Sequence, residues 1–141
     1  MNKTPYTTYV GIDTGTHTGI AVWEKTSRRL SLQTLPIHKA MELIKHLHEE
    51  AGDRLFVRFE DARLRQWFGK AGRDQLQGAG SIKRDSTIWD DYLKDLGVAY
   101  QAVAPKQNRT KLSATQFKAI TKYTQKTNEH SRDAAMLVFG L

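Results

Sequence analysis

The feature that most constrains the fold is a pair of apolar segments joined by a short glycine turn near the start of the chain. Residues 6–13 mix tyrosine and threonine with valine and isoleucine and end on Asp13, and residues 20–23 resume the apolar run. Short runs rich in β-branched and aromatic residues predict strands, and Gly15 and Gly19 bracket the turn between them. An ionised carboxylate at the end of a buried strand is costly unless it binds something. The stretch therefore predicts a hairpin that presents Asp13 to a ligand such as a divalent cation.

The rest of the chain predicts an α/β fold with five strands and four helices. Residues 30–35 predict a third strand, which makes the first three an antiparallel meander. Apolar spacing predicts helices over 38–51, 82–96, part of 106–126 and 128–139, and strands over 55–60 and 98–103. The glycine-rich stretch 61–81 is predicted to be mostly loop. The order βββ-α-β-α-β-α-α predicts a five-stranded mixed sheet with helices on both faces, in one domain spanning residues 1–141.

The charge balance favours a polyanionic partner. The 22 Lys and Arg residues exceed the 15 Asp and Glu residues, for a net charge of +7, which favours nucleic acid or an anionic membrane face as partner. No predicted helix has the broad hydrophobic face that suits lying on a membrane, so nucleic acid is the preferred interpretation. No apolar run approaches the roughly 20 residues that a membrane span needs. The chain opens without an apolar signal region and contains no cysteine, which excludes disulfides and thiolate metal sites. We therefore expect a cytoplasmic protein that binds no membrane, associated with the nucleoid when on DNA.

Acidic residues fall at the ends of three predicted elements. Asp13 follows the first strand, Glu60 follows the fourth, and Asp133 lies in the first turns of the last helix, three residues after His130 and on the same helical face. Each one alone is commonly a turn residue, a solvated strand end or a helix cap. Together, carboxylates from neighbouring strands repel one another unless hard cations neutralise them. Two Mg²⁺ ions about 3.5–4 Å apart could then activate a water and stabilise the leaving oxygen in phosphodiester hydrolysis.

Over almost its whole length, the chain resembles the RuvC-type Holliday junction resolvases, which belong to the ribonuclease H-like nucleases. The matching positions are Gly11-Ile12-Asp13 with Gly15, Thr18 and Gly19, then Phe59-Glu60, then Ala104-Pro105 with basic residues following, then His130, Asp133 and the two alanines after it. The family often has proline after the first aspartate, where this chain has Thr14. The resemblance implies that Asp13, Glu60 and Asp133 are the metal-binding carboxylates and that His130, an acid in some members, is the fourth residue of the metal site. Asp61 is an alternative to Glu60, although strand alternation points it to the other face.

The resemblance also implies an activity. It is that of a metal-dependent endodeoxyribonuclease that resolves four-way DNA junctions by paired symmetric nicks, leaving a 5′-phosphate and a 3′-hydroxyl. The implied cofactor is Mg²⁺, two ions, with Mn²⁺ able to substitute. The implied partners are branched DNA and a second copy of the chain, because two symmetric cuts need two sites. Helix 82–96, with Ile88, Trp89 and Tyr92, is the predicted dimer surface. The short stretch after the last helix is what we expect of a phage or prophage member.

Two basic segments are predicted to contact DNA. The first, which follows Glu60, contains Arg63, Trp67, Phe68, Lys70 and Arg73; the second contains Lys106, Arg109, Lys111 and Lys118. Six cations without an acid between 106 and 126 favour phosphate contact over a solvated helix face. The two aromatic residues either pack in the core or stack on bases at the junction centre. By resemblance, Arg109 or Lys111 is the catalytic cation near the scissile phosphate, and the choice between them stays open.

Three other functions are compatible with the sequence. The same carboxylate chemistry would serve a ribonuclease H-like nuclease acting on other branched DNA or on RNA–DNA hybrids. A junction-binding protein with a weak catalytic site is a non-enzymatic alternative. The Asp-x-Gly-Thr opening also occurs in the phosphate loop of actin-like ATPases and sugar kinases, but those proteins need a second such lobe, and the sequence contains no second phosphate loop.

Overall fold

The computed structural model describes residues 5–64, 73–105 and 112–141, and only the backbone at residues 73–79 and 82. Strands β1 to β5 span Thr8–Asp13, His17–Glu24, Arg29–Pro36, Leu55–Glu60 and Ala99–Val103. Helices α1 to α4 span Ile37–Ala51, Arg73–Leu96, Ala114–Thr121 and Glu129–Ala135. None of the helices in these ranges has the length and apolar character needed to cross a membrane.

The five strands form one mixed sheet with the order β3-β2-β1-β4-β5. The first three strands pair antiparallel as a meander, whereas β1–β4 and β4–β5 are parallel pairs connected through helices. Because parallel strands end at the same edge of a sheet, the C-terminal ends of β1 and β4 lie side by side. In the register, Asp13 is opposite Gly19, and Ile12 is opposite Phe59. The predicted α/β fold with a five-stranded mixed sheet is confirmed.

Alternate residues of the strands face two separate hydrophobic clusters. On one face, Val10, Ile12 and Phe59 pack with buried residues of α1 and α2. On the other face, Ala21 and Trp23 pack with Phe117 of α3 and with residues of α4. The first cluster packs α1 and α2 against one face of the sheet. The second packs α4 against the other face, across the strand ends where Asp13 lies.

Two glycines allow α4 to lie directly on the sheet. A Cβ atom built on Gly11 would overlap the carbonyl oxygen of Ala134, and one built on Gly19 would overlap the carbonyl oxygen of His130. Glycine is required wherever two backbones approach this closely. The glycines of the opening motif therefore bring the first turns of α4 to the end of β1.

The prediction that residues 61–81 are mostly loop is wrong in its second half, because α2 already begins at Arg73. Gly78 and Gly80 lie inside that helix. A glycine costs roughly 1 kcal/mol in a helix, but extending an existing helix is far easier than starting one. The well-packed segment around Trp89 thus supports a helix that runs through both glycines. The last helix is shorter than the predicted range 128–139, because α4 ends at Ala135 and residues 136–140 continue in tight turns.

The structure places two of the three residues named for the predicted dimer surface against the core. Trp89 is fully buried in the core, and Tyr92 packs against the same cluster while its hydroxyl donates to the Met41 carbonyl at 2.8 Å. Only Ile88, 40% exposed, faces outward. The helical periodicity was sufficient to identify an apolar face, and that face covers the sheet.

Candidate active site

Asp13 and His130 meet at the C-terminal end of β1. The Oδ2 atom of Asp13 lies 3.0 Å from the Nδ1 atom of His130, which belongs to the first turn of α4. The Asp13 side chain is 18% exposed and that of His130 is 49% exposed. An ionised carboxylate can only accept, so Nδ1 carries the hydrogen when Asp13 is charged. Asp13 is thus a partly buried acid that is hydrogen-bonded to a more exposed imidazole.

Burial raises the pKa of Asp13 to about 6, because desolvation penalises the charged form. The hydrogen bond from His130 opposes this shift, while the negative charges of Asp133 and Glu60 add to it. Glu60 and Asp133 therefore both lie close enough to act on Asp13 electrostatically. A perturbed carboxyl pKa with charged partners is typical of functional sites.

Asn128 fixes the start of α4 through hydrogen bonds to Ser131 within the helix and to Thr34 on β3. The Asn128 Oδ1 atom accepts from the Ser131 backbone N–H at 2.9 Å, and the Ser131 hydroxyl oxygen accepts from the Asn128 N–H at 3.1 Å. The Asn128 amide also donates to the Thr34 hydroxyl on β3 at 2.9 Å. This reciprocal cap sets the position of the turn that carries His130.

Two arginines that the sequence did not single out bond α4, and the turns that follow it, to other parts of the chain. Arg58 donates to the Leu137 carbonyl at 2.6 Å, and Arg132 donates to the Leu112 carbonyl and the Thr127 hydroxyl at 3.0 and 2.9 Å. The signal for Arg58 is present in the sequence. It is a cation at an alternate position of an otherwise apolar strand, where only a polar partner on the covered face justifies it.

The structure separates Glu60 from Asp61. Asp61 is 1% exposed and receives hydrogen bonds from the Arg63 side chain at 2.7 and 2.9 Å. Arg63 also pairs with Asp90 of α2 at 2.8 Å, and Asp90 accepts from the Tyr100 hydroxyl at 2.5 Å. Asp61 thus belongs to an ion-pair network on the α2 side, while Glu60 acts on Asp13.

The remaining predicted DNA contacts are only partly described. Lys118 is exposed on α3, and Arg73 begins α2, where only the backbone is described. Residues outside the described ranges are Trp67, Phe68, Lys70, Lys106, Arg109 and Lys111. The described chain resumes at Leu112, the residue held by Arg132.

In the described ranges, no three His, Asp or Glu side chains are arranged closely enough to hold a metal ion. One Asp13 oxygen instead bonds His130. Carboxylate oxygens are the ligands that a hard divalent cation prefers, and Asp13, Glu60 and Asp133 are the residues of this site that could supply them. A bound cation would also relieve the repulsion that Glu60 and Asp133 exert on Asp13.

Comparison with solved structures identifies a fold relative. The chain is similar to T. thermophilus RuvC in complex with Holliday junction substrate, with a TM-score of 0.53 and 15% sequence identity over 90% of this chain and 87% of that chain. No family model matches the sequence, and no curated protein matches it. The similarity establishes a ribonuclease H-like fold.

Proposed function

We propose that the protein is a Mg²⁺-dependent nuclease that cuts branched DNA, with four-way junctions as its substrate. The observation that carries the proposal is the meeting of Asp13 and His130 at the sheet edge, under the charges of Glu60 and Asp133. These elements occur in a ribonuclease H-like fold whose solved relative was bound to a Holliday junction. The net charge of +7 is compatible with a DNA substrate.

In this proposal, Asp13, Glu60 and Asp133 hold Mg²⁺, and Mn²⁺ can take its place. The bound metal would supply Lewis-acid stabilisation of the cleaved phosphodiester and a water of lowered pKa. His130 orients Asp13 and favours its ionised form, which is the form that binds a cation. Arg109 or Lys111 supplies the cation at the phosphate.

Metal binding can be tested without any cleavage assay. Mg²⁺ at millimolar concentration should raise the melting temperature of the wild-type protein, because a ligand that binds only the folded state stabilises it. Asp13→Asn should abolish that increase. An equal increase in both proteins would place the metal elsewhere.

The activity is tested with synthetic four-way junctions in Mg²⁺. We expect two symmetric nicks with 5′-phosphate and 3′-hydroxyl ends, and none from Asp13→Asn. Parallel assays on a flap, a linear duplex and an RNA–DNA hybrid identify the substrate class. Faster cleavage of the hybrid or the flap would replace the junction as substrate, and cleavage that survives Asp13→Asn would reject the active site.

Paired nicks require two sites, so we propose that the active form is a homodimer on its substrate. Of the three residues named for the predicted dimer surface, Ile88 is the exposed one and is available for such a contact. Light scattering with and without junction DNA measures the oligomeric state. A protein that stays monomeric on the junction would have to make its two cuts independently.

A junction-binding protein with weak or no catalysis is the second candidate. It is favoured by one observation: within the described residues, the acids do not form a three-ligand metal cluster. Tight junction binding without turnover in Mg²⁺ or Mn²⁺ would establish it.

A further inference from the structure

A groove lies at the end of the sheet farthest from Asp13, and we name it the hairpin groove. It runs between the β2–β3 turn, residues 25–28, and the C-terminal end of α3, and its volume is about 550 Å³. Its apolar lining includes Tyr123 and Ile120, which is 50% exposed. The cations that line it are Arg28, Arg29 and Lys122, and no acid is among the described residues of the lining.

The backbone at two of these cations is unusual. Arg28 has a φ of 54° and Lys122 a φ of 63°, and they are the two non-glycine residues with positive φ in the described part of the chain. Glycine or asparagine ordinarily fills such left-handed positions, at helix ends and in turns. Here both positions carry long basic side chains, and both line the same groove. A non-glycine residue held in a strained backbone conformation is a reason to suspect a function for its side chain.

The neighbours of these cations hold them at the rim. The Arg28 guanidinium lies 5.4 Å from the centroid of the Trp23 ring, within the range of a cation–π contact. Trp23 is itself fixed by Phe139, whose ring centroid is 5.0 Å away. The Lys122 N–H donates to the Lys118 carbonyl at 2.8 Å and closes α3. Arg29 lies opposite Glu24 in the register of β2 and β3, so an acid is near this third cation.

We propose that the hairpin groove holds one strand of a DNA arm of the substrate, with phosphates against Arg28 and Lys122 and sugars over the apolar floor. The inference rests on the proposed function. Asp13 and Trp23 face the same side of the sheet, the side covered by α4. From Gly19, opposite Asp13, to Glu24 are five strand steps of about 3.3 Å each, or roughly 17 Å. The groove should therefore contact phosphates about five base pairs from the cleaved bond.

The test compares charge-neutralised variants, each in an Asp13→Asn background so that the DNA stays intact. Arg28→Gly with Lys122→Gly removes both cations and suits a left-handed backbone, so it should fold as well as the parent. Losing two phosphate contacts should make the slope of log affinity against log salt shallower by about 1.8 and weaken binding roughly tenfold or more at 0.1 M salt. Lys39→Gln with Lys45→Gln on α1 changes the net charge equally on the opposite face and should alter the slope much less.

A methylphosphonate scan of the junction locates the contact. Neutral phosphates about five base pairs from the cut should weaken binding of the parent and should not weaken the glycine variant further. Equal salt slopes for the two double variants would overturn the proposal that the hairpin groove binds DNA. So would a phosphate effect that persists in the glycine variant. If the wild-type protein nicks junctions while either of these contrary results is found, the groove proposal is rejected and the nuclease proposal stands. If the groove governs DNA binding but no substrate is cut, the groove stands and the nuclease proposal fails.

Discussion

Asp13 on β1 and His130 on α4 are 117 residues apart in the chain, yet their Oδ2 and Nδ1 atoms lie 3.0 Å apart. Burial disfavours the charged form of Asp13, and the hydrogen bond from His130 offsets only part of that cost. The site is thus built around an acid that the fold makes reluctant to ionise. A divalent cation would reverse that preference, because a bound cation stabilises the carboxylate.

The first prediction is that Asp13→Asn stabilises the protein at pH 8. The folded pKa of Asp13, about 6, lies above its ordinary value of 3.8, so the folded state binds the extra proton between these values. Stability therefore falls as pH rises from about 4 to 6, and the loss is complete above 6. Asparagine cannot ionise, so the variant should be more stable by on the order of 1–3 kcal/mol at pH 8.

Urea unfolding at pH 8 and pH 4 measures the difference. It should be much smaller at pH 4, where Asp13 is protonated in the folded state and partly protonated in the unfolded state. Metal-free buffer is essential, since Mg²⁺ would stabilise the wild type alone. Equal stability of the two proteins at pH 8 would mean that the fold imposes no cost on the charged acid.

The second prediction concerns His130. Removing it in His130→Ala deletes the hydrogen bond that lowers the pKa of Asp13, so that pKa should rise. Because the cation competes with the proton for the carboxylate, the acidic limb of the pH–activity profile should move to higher pH. His130→Asn keeps a hydrogen-bond donor and is the matched control, with a smaller displacement expected. A uniform loss of rate without a displaced limb would mean that His130 acts elsewhere in the reaction.

The sequence was sufficient to predict the sheet and the approach of His130 to Asp13, for a physical reason. Strand ends and the helical spacing of His130 and Asp133 are local signals, and parallel pairing brings strand ends to one edge. Other features depend on long-range packing. Whether Trp89 faces a partner or the sheet cannot be read from periodicity, and the start of α2 at Arg73 depends on the rest of that helix. The pairing of Arg63 with Asp61 and Asp90 likewise needs the positions of three elements.

The third prediction is that Gly19→Ala damages the site more than the fold. The added Cβ would overlap the His130 carbonyl oxygen, so α4 must move away from β2. We expect a loss of about 1–3 kcal/mol of stability, the range for overpacking, and a larger proportional loss of cleavage, because His130 moves with the helix. Gly80→Ala is the matched control. That position is helical and open, so alanine should stabilise by up to about 1 kcal/mol.

Thermal unfolding and junction cleavage of the two alanine variants separate these effects. A Gly19→Ala protein with wild-type stability and wild-type cleavage would mean that α4 is not seated on β2 as described. A Gly80→Ala protein that loses stability would contradict the helical assignment at that position.

The fourth prediction is that Arg63 stabilises the fold through the Asp61–Arg63–Asp90 network. Arg63→Gln leaves the buried Asp61 carboxylate without its cation, and we expect a loss of about 2–3 kcal/mol, reduced from a fully buried pair because the Arg63 side chain is 32% exposed. Arg63 is also the main reason that the pKa of Asp90 is lowered, ahead of Tyr100. A carboxyl group whose pKa is lowered in the folded state stabilises the fold at pH values above its ordinary pKa near 4. This stabilisation is lost as the pH falls below that value. The difference from wild type should therefore be largest at neutral pH and shrink in acid.

A double variant, Asp61→Asn with Arg63→Gln, removes both charges and should recover part of the loss, since no unpaired buried charge remains. The same proteins also test the sequence prediction that Arg63 contacts DNA. A cation already held by two carboxylates should leave the salt dependence of DNA binding nearly unchanged. If Arg63→Gln instead keeps wild-type stability and makes the salt slope shallower by about 1, Arg63 is a phosphate contact and the network contributes little to the fold.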